Sequence, residues 1–499
     1  MELKKIQFDS KKIVSFWTIF LMGIVVHLMA CTNRIFTADD YGRMIIYGNE
    51  EFSLGRLLLS SFQIISTTKY NINAVSGVVS ILFLSATVEL ILAIFEVKKK
   101  ISQVLIAAII ITSPCAFSTM VFPCASSAYF IAFFLAFLAL FLLTKVETDK
   151  GVGCIILAMI LIVISMMIYQ IYATIIVVAF LTKLLVDYLC EDKSVINKVN
   201  LRNLCTIIVG FVFYIFLYKL FFVILKIEPA DYQGFNKSGP RMNLKSLLTA
   251  MERTFSDFYR FWTGQRICFY AIVNCLFWIS VIIAVVVYIL EASDKIRKSV
   301  GVIALLFGML EASFMLHYTS SGVYYHNIMT WGCCFFYVFL IVLMERRTVS
   351  VLNYACTIII SIICIYNYQN GNVGYMQLDI SRTKTDYMVQ KIMSDIDEIS
   401  DGSEKIVIVG DMTIHDSGTN MITIPEIEVA NETVGVVTPL HLERYLDSYY
   451  GKRYDFADEN EQEMVLKTVL SDEGDHTAVY PYGGYCFKSG DYIILNFEN

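Results

Sequence analysis

The sequence predicts an all-α polytopic membrane protein of about eleven transmembrane helices, followed by a small C-terminal α/β soluble domain. Three observations lead there. The 499 residues are 57% hydrophobic, above the roughly 45–50% typical of soluble domains. Lys and Arg recur in every second loop between the apolar runs. Charge is also unevenly divided. From about residue 368 onward, 24 Asp and Glu stand against 9 Lys and Arg, a balance of −15, which leaves +9 for the rest of a chain whose total is −6. An apolar, basic body joined to an acidic tail reads as two domains in different surroundings, 1–370 in the membrane and 371–499 outside it.

A helix needs about 20 apolar residues to cross the hydrocarbon core. The runs that qualify are 13–31, 73–96, 102–122, 125–144, 152–169, 172–190, 204–225, 266–290, 299–316, 327–344 and 350–367. The N-terminal stretch carries Lys4, Lys5, Lys11 and Lys12. Alternate loops then carry Lys98, Lys99 and Lys100; Lys145 and Lys150; Lys193, Lys198 and Arg202; Lys295, Arg297 and Lys298; and Arg346 and Arg347. The phase never breaks, which puts the N-terminus in the cytoplasm and the tail outside. The turns at 122–125 and 169–172 are tight, and losing both as re-entrant hairpins would preserve the parity. No small-residue cleavage site follows the first apolar run, so it reads as a retained helix rather than a removable signal peptide.

Most of the thirteen cysteines lie inside apolar runs, among them Cys154, Cys205, Cys275, Cys333, Cys334 and Cys364, where Cys acts as a small hydrophobe. Only Cys486 falls in the tail, so the tail has no internal disulfide. No Cys/His spacing suggests a zinc site, and no metal is expected.

Two outer loops are long. The first contains an apolar piece, 57–65, read as an interfacial helix. In the second, 244–262 looks helical, with Leu247, Met251, Phe255, Phe258 and Trp262 at i, i+3 and i, i+4 spacing. The tail opens with an amphipathic helix at 381–399, with Tyr387, Ile392, Ile396 and Ile399 on one side. A buried strand follows at Lys405–Val409, then helices at 440–449 and 461–470. A closing hairpin, 479–487 with 492–497, has Gly490 in its turn.

The first outer loop carries the chemistry. After the first helix the chain reads Thr-Ala-Asp-Asp-Tyr-Gly-Arg at 37–43, and Leu-Gly-Arg at 54–56. One reading makes Asp39 or Asp40 a helix N-cap that pairs with Arg43. The other makes the pair a general base beside an anion clamp. A carboxylate can deprotonate an attacking hydroxyl, and an arginine offers a planar fork to a phosphate. That set of groups suits transfer from a lipid phosphate at a membrane face, and phosphate leaves without needing a general acid.

This pattern of a first helix, Asp-Asp-Tyr-Gly-Arg and then Gly-Arg resembles the bacterial Gtr (type II, serotype-converting) glucosyltransferase family. Met-Met-Ile-Tyr-Gln-Ile-Tyr-Ala at 166–173 is similar to that family's Tyr-Gln-x-Tyr at the outer end of a middle helix. The topology matches over residues 1 to about 370, and no family motif is found in the tail. The resemblance implies a GT-C-like enzyme that takes a sugar from a polyprenyl-phosphate carrier outside the cytoplasm. A carboxylate of the first outer loop then serves as base. Here it maps to Asp39 or Asp40, with Asp40 favoured and Asp39 orienting the acceptor. Arg43 and Arg56 map to the carrier phosphate, and inversion at the anomeric carbon is implied by the class. Tyr41, Tyr169, Gln170 and Tyr172 are substrate-binding candidates, an interfacial aromatic belt being the plainer reading of the tyrosines.

Elsewhere, Glu89 lies mid-span and Glu311 near the outer end of the ninth span; carboxylates at such depth usually face a cavity or a partner. Asp231, Tyr232, Gln233, Lys237 and Arg241 fit a solvated loop better than a contact with acceptor or carrier. His317, Tyr318, Tyr324, Tyr325 and His326 read as interfacial polar residues, with sugar contact second. A metal would need a carboxylate or a third His in that loop, and the loop has none. Asp411, His415 and Asp416 follow the tail strand, where ligands often bind, without any glycine-rich fingerprint.

The expected function is an integral glycosyltransferase of the bacterial cell membrane. It would move glucose from a polyprenyl-phosphate carrier to a cell-surface polysaccharide or lipid-linked glycan, such as an O-antigen. Its partners would be that donor, that acceptor and the bilayer, with no nucleic acid and no cofactor. A flippase or transporter of lipid-linked sugars is the first alternative. It would spread charges through several spans and show repeat symmetry, whereas the charges here cluster in outer loops. A polysaccharide polymerase or ligase is the second, and residue types do not separate it.

Overall fold

Apolar runs of this length become helices because hydrocarbon offers the backbone no partners, and a helix satisfies its own N–H and C=O groups. The computed structural model describes residues 10–35, 37, 40, 50–66, 71–146, 151–230, 244–263, 268–320, 322–347, 350–410, 439–472 and 478–497. In chain order the helices are α1 (Ser10–Val26), α2 (Leu28–Thr32), α3 (Glu50–Ser53), α4 (Leu59–Gln63), α5 (Asn73–Ile94), α6 (Lys100–Ile111) and α7 (Pro114–Met120). They continue as α8 (Ser126–Lys145), α9 (Val152–Ile168), α10 (Tyr172–Glu191), α11 (Lys198–Leu225), α12 (Leu244–Thr263), α13 (Cys268–Glu291), α14 (Lys295–Ser313), α15 (Trp331–Arg346) and α16 (Ser350–Ile399).

Every one of the eleven stretches expected to span contains a helix. Among the described residues, α5, α8, α10, α11, α13 and α16 are long and apolar enough to cross a membrane. α6 and α7 make a seventh if joined across their 48° bend. α1, α9 and α15 are shorter, and α14 opens with Lys295, Arg297 and Lys298. Helix length alone therefore supports a membrane protein without fixing eleven crossings. The bend at α6–α7 has a local cause. Pro114 cannot continue α6, and it starts α7 as its first residue while the Ser113 hydroxyl accepts the Ala116 N–H at 3.1 Å.

Small and polar side chains bring the helices together. Ser76 and Ser80 of α5 meet Ser126 of α8 at 3.0 and 3.1 Å, and Ser76 also donates to the Pro123 carbonyl at 2.6 Å. Buried His27, between α1 and α2, bonds Tyr375 Oη of α16 at 2.8 Å and the Ile111 carbonyl of α6 at 2.9 Å.

The basic loops gather at one end of the bundle. Glu345 accepts the backbone N–H groups of Lys98 and Lys99, both at 3.0 Å. Arg346 lies 3.6 Å from Glu96 and 3.7 Å from Glu191. Lys298 pairs with Asp192, and Arg347 with Glu291. Loops expected to share a side of the membrane thus share an end of the molecule. The 57–65 segment is a shorter helix than expected. Only Leu59–Gln63 is helical; Leu57, Leu59, Ser60 and Gln63 are buried against the bundle, while Ile64 and Ile65 are exposed. The Leu58 N–H donates to the Met167 carbonyl at 3.0 Å. α12 also turns differently. Ala250, Thr254, Phe261 and Trp262 are its buried residues, while Leu247 and Phe255 face outward.

α16 runs unbroken for 50 residues, about 75 Å at 1.5 Å per residue. The last expected span and the amphipathic tail helix are therefore one element, and position 370/371 falls inside it. Met388, Val389, Ile392 and Ile396 form its buried face, but Tyr387 is 71% exposed. Tyr387 misses the i, i+3, i+4 series of Ile392 by one residue. The tail sheet has strands β1 (Lys405–Val409), β2 (Asp455–Phe456), β3 (Cys486–Ser489) and β4 (Tyr492–Asn496) in the order β2-β1-β4-β3. β1 is parallel to β2 and β4, and β3 with β4 forms the expected hairpin around Gly490. Residues 479–485 are not strand, for Pro481, Gly483 and Gly484 cannot sustain a ladder. α17 (Pro439–Tyr445) and α18 (Glu459–Asp472) flank the sheet. Ile406 and Ile408 of β1 pack on α16 and α17, and Val407 and Val409 pack on α18, the two-sided burial of a central strand.

This packing makes the distal half of α16 part of the sheet's core. A fragment of residues 376–499 should melt cooperatively without detergent, whereas 400–499 should aggregate. Ile392→Ala in the longer fragment should cost about 2–5 kcal/mol in chemical denaturation.

Candidate functional site

Asp40 is wholly buried. Its Oδ2 accepts the Thr37 N–H at 2.7 Å and the Thr37 hydroxyl at 2.9 Å. Its Oδ1 accepts the Cys124 N–H at 3.0 Å and, more loosely, the Asn71 amide at 3.5 Å. Asp40 is thus not the N-cap that its sequence position allowed. It reaches back three residues to Thr37, as in a capping box, and forward to the turn before α8. Burial penalises its charged form and pushes the carboxyl up to about 6, against the opposing pull of the Thr37 and Cys124 hydrogen bonds.

Arg56 arrives at the start of α8 from the other part of the same loop. Its guanidinium lies 5.0 Å from the centre of the Tyr169 ring, and Nη1 is 3.5 Å from Tyr129 Oη. Tyr129 and Tyr169 stack at 4.6 Å, and Tyr172 extends the aromatic wall to Phe133 and then Trp331. Gln170 fastens the loop below: its amide donates to the Leu54 carbonyl at 2.8 Å and to Tyr214 Oη at 3.0 Å. Gly55 turns with φ +78°, and a Cβ there would come within 2.5 Å of Tyr218 and 2.9 Å of the Gln170 amide. Only glycine meets both demands.

A second cluster forms at the same end. His317 Nε2 lies 2.7 Å from Asp257 Oδ2 of α12, and Arg260 sits 3.4 Å from Asp257 Oδ1. Arg260 donates to the Tyr325 carbonyl at 2.9 Å and packs 5.0 Å from the Tyr324 ring. Tyr325 Oη accepts the Leu316 N–H at 3.0 Å. Burial pushes the Tyr325 phenol up, and Asp257 and Tyr169 stand near enough to add to the effect. The aromatic wall of the first cluster ends on Trp331, six residues beyond Tyr325 in the segment that carries the second. Glu311 accepts from Tyr318 near the end of α14, and Glu89 is half-buried in α5.

The structure brings together Asp40, Arg56, Tyr169, Gln170 and Tyr172. Asp39, Tyr41 and Arg43 lie outside the described residues, as do Asp231, Tyr232, Gln233, Lys237, Arg241, Asp411, His415 and Asp416. Gln170 serves the backbone of the arginine loop and the Tyr214 hydroxyl. Sequence reasoning missed Asn71, Tyr129, Asp257 and Glu51, whose buried carboxylate accepts the Ser60 hydroxyl at 2.5 Å. Asp257 had a signal, an acidic residue on the Thr254–Phe261 face of an amphipathic helix, but that helix was read only for its apolar positions. Among the described residues, the polar atoms buried without a hydrogen-bond partner include Gln63 Nε2, Asn71 Oδ1, His317 Nδ1 and Trp331 Nε1. No group of three or more His, Cys, Asp or Glu suited to a metal occurs among the described residues.

No curated protein and no solved structure matches the chain. The family model described as glucosyl transferase GtrII matches residues 28–345. That is more than half of the chain, and it contains every element that carries the two clusters. The chain therefore belongs to the GtrII glucosyl transferase family and is a membrane glycosyltransferase.

Proposed function

We propose that the protein transfers glucose from a polyprenyl-phosphate carrier to a cell-surface glycan, on the extracytoplasmic face of a bacterial cell membrane and in the manner of GT-C enzymes. The observation that carries this reading is the convergence of Asp40 and Arg56 on the start of α8, a carboxylate of raised proton affinity and a guanidinium at one end of an apolar bundle. Asp40 Oδ1 takes the proton of an acceptor hydroxyl, entering where the Asn71 contact is longest. The acceptor oxygen bonds to the anomeric carbon as that carbon's bond to the phosphate oxygen breaks, with inversion. Arg56, joined by Arg43, balances the charge gathering on the departing phosphate. Asp39 orients the acceptor. Tyr169 and Tyr172, with Tyr41, offer faces to the sugar, and the unpartnered buried polar atoms suit a hydroxyl-rich ligand. The alternation of basic loops supports placing this end outside and the tail with it. The tail then forms a separate extracytoplasmic domain.

Purified protein given labelled polyprenyl-phosphate glucose, and polysaccharide from cells lacking the protein, should transfer the label. Asp40→Asn should slow transfer about 10²–10⁴-fold with donor affinity kept; loss of donor binding and thermal stability together would mark Asp40 as a loop anchor alone. A base works ionised, so the wild-type rate should fall as pH drops through about 6, and the Asn variant should lack that limb. Arg56→Ala should raise the donor KM about tenfold while leaving acceptor KM unchanged. For orientation, cysteine at exposed Tyr387 should react with an impermeant maleimide in intact cells, and cysteine at Lys295 only after lysis. The reverse labelling pattern would invert the topology.

A further inference from the structure

The Asp257–His317 pair joins two loops that sequence reading kept apart. The His317 side chain is 2% exposed, and its Nδ1 has no hydrogen-bond partner. Asp257 accepts at Nε2 and fixes the ring, while Tyr325 packs on it at 4.9 Å. A buried ring nitrogen that is oriented yet unpaired is unusual in a folded protein. It is the arrangement of a group waiting for a ligand atom.

We propose that His317, held by Asp257, binds a hydroxyl of the acceptor glycan, with Arg260 and Tyr324 walling the same subsite. The inference rests on the glycosyl-transfer reading above and assigns the acceptor's place within it. A hydroxyl both donates and accepts, so it satisfies Nδ1 whether the ring carries one proton or two. The Asp257 carboxylate, 2.7 Å from the ring, and the Arg260 guanidinium, 3.4 Å from Asp257, offset one another, so the subsite suits a neutral sugar better than the carrier phosphate. Aromatic faces with a guanidinium beside them suit such a ring, and Arg260 lies 5.0 Å from the Tyr324 ring. Tyr325 touches His317, and Trp331, six residues on in the same segment, ends the aromatic wall that begins at Arg56 and Tyr169.

The test exploits the geometry of the two ring nitrogens. In His317→Gln the side-chain amide still reaches Asp257, but nothing replaces Nδ1. Calorimetric titration of the full-length protein with polysaccharide from cells lacking it should show binding at least tenfold weaker than wild type, equivalent to about 1.4 kcal/mol. Thermal stability and donor KM should be unchanged. Tyr324→Ala, which trims an exposed wall residue rather than a buried one, should weaken the same binding, which tests the idea even if the His317 variant misfolds. Equal affinity in both variants, or no binding by wild type, would overturn the subsite. Binding that depends on His317 without any glucose transfer would keep the subsite and remove the transfer reading instead.

Discussion

A carboxylate cannot be left bare in a low-dielectric interior, and the four donors around Asp40 answer that constraint. Two come from Thr37, one from the turn before α8 and one from Asn71 at the foot of α5. Satisfying one side chain therefore draws the first loop down onto the α7–α8 turn. Once the loop is docked there, Leu57 and Leu59 can bury, and Arg56 can meet Tyr129 and Tyr169. The position of the arginine is in this sense a consequence of where Asp40 finds its hydrogen bonds.

The opposite end solves its electrostatics by other means. Arg346 is shared between Glu96 and Glu191, and all three side chains are partly exposed. Pairs of that kind contribute roughly 0–1 kcal/mol each. Their value is topological, because a cluster of Lys and Arg resists translocation. Asp40 lies in a dry setting, so its hydrogen bonds and its proton affinity both matter far more. One end of the bundle carries the basic loops and the other the buried Asp40.

What the sequence disclosed was local. The period of the apolar runs, the recurrence of basic loops, the strand Lys405–Val409 and the turn at Gly490 are each written within a few neighbouring residues, and the structure has all of them. What it concealed was contact across the chain. Asp40 finds Asn71 31 residues away and Cys124 84 residues away, and His317 finds Asp257 at a separation of 60. The His317 loop lacks a carboxylate of its own, and so it looked incomplete until another loop supplied one. Tyr387 misled for a different reason. It is apolar enough to join a face, and only the helical phase, set by Ile392 and Ile396, sends it outward.

α16 passes without a break from the bundle into the sheet's core, and on its way Arg382 donates to the Arg34 carbonyl at 3.2 Å and lies over the Tyr449 ring. A continuous helix is a mast whose length and heading are quantised. One residue added between the bundle and Met388 would lift the sheet by about 1.5 Å and swing it by about 100°. The tail would then face a different quarter of the membrane surface, and Arg382 would lose either its grip on the loop or its stacking partner. Changes of about seven residues, two full turns, restore the heading at a greater height. Insertions in this stretch are therefore constrained in phase far more than in length, unlike those in a flexible tether.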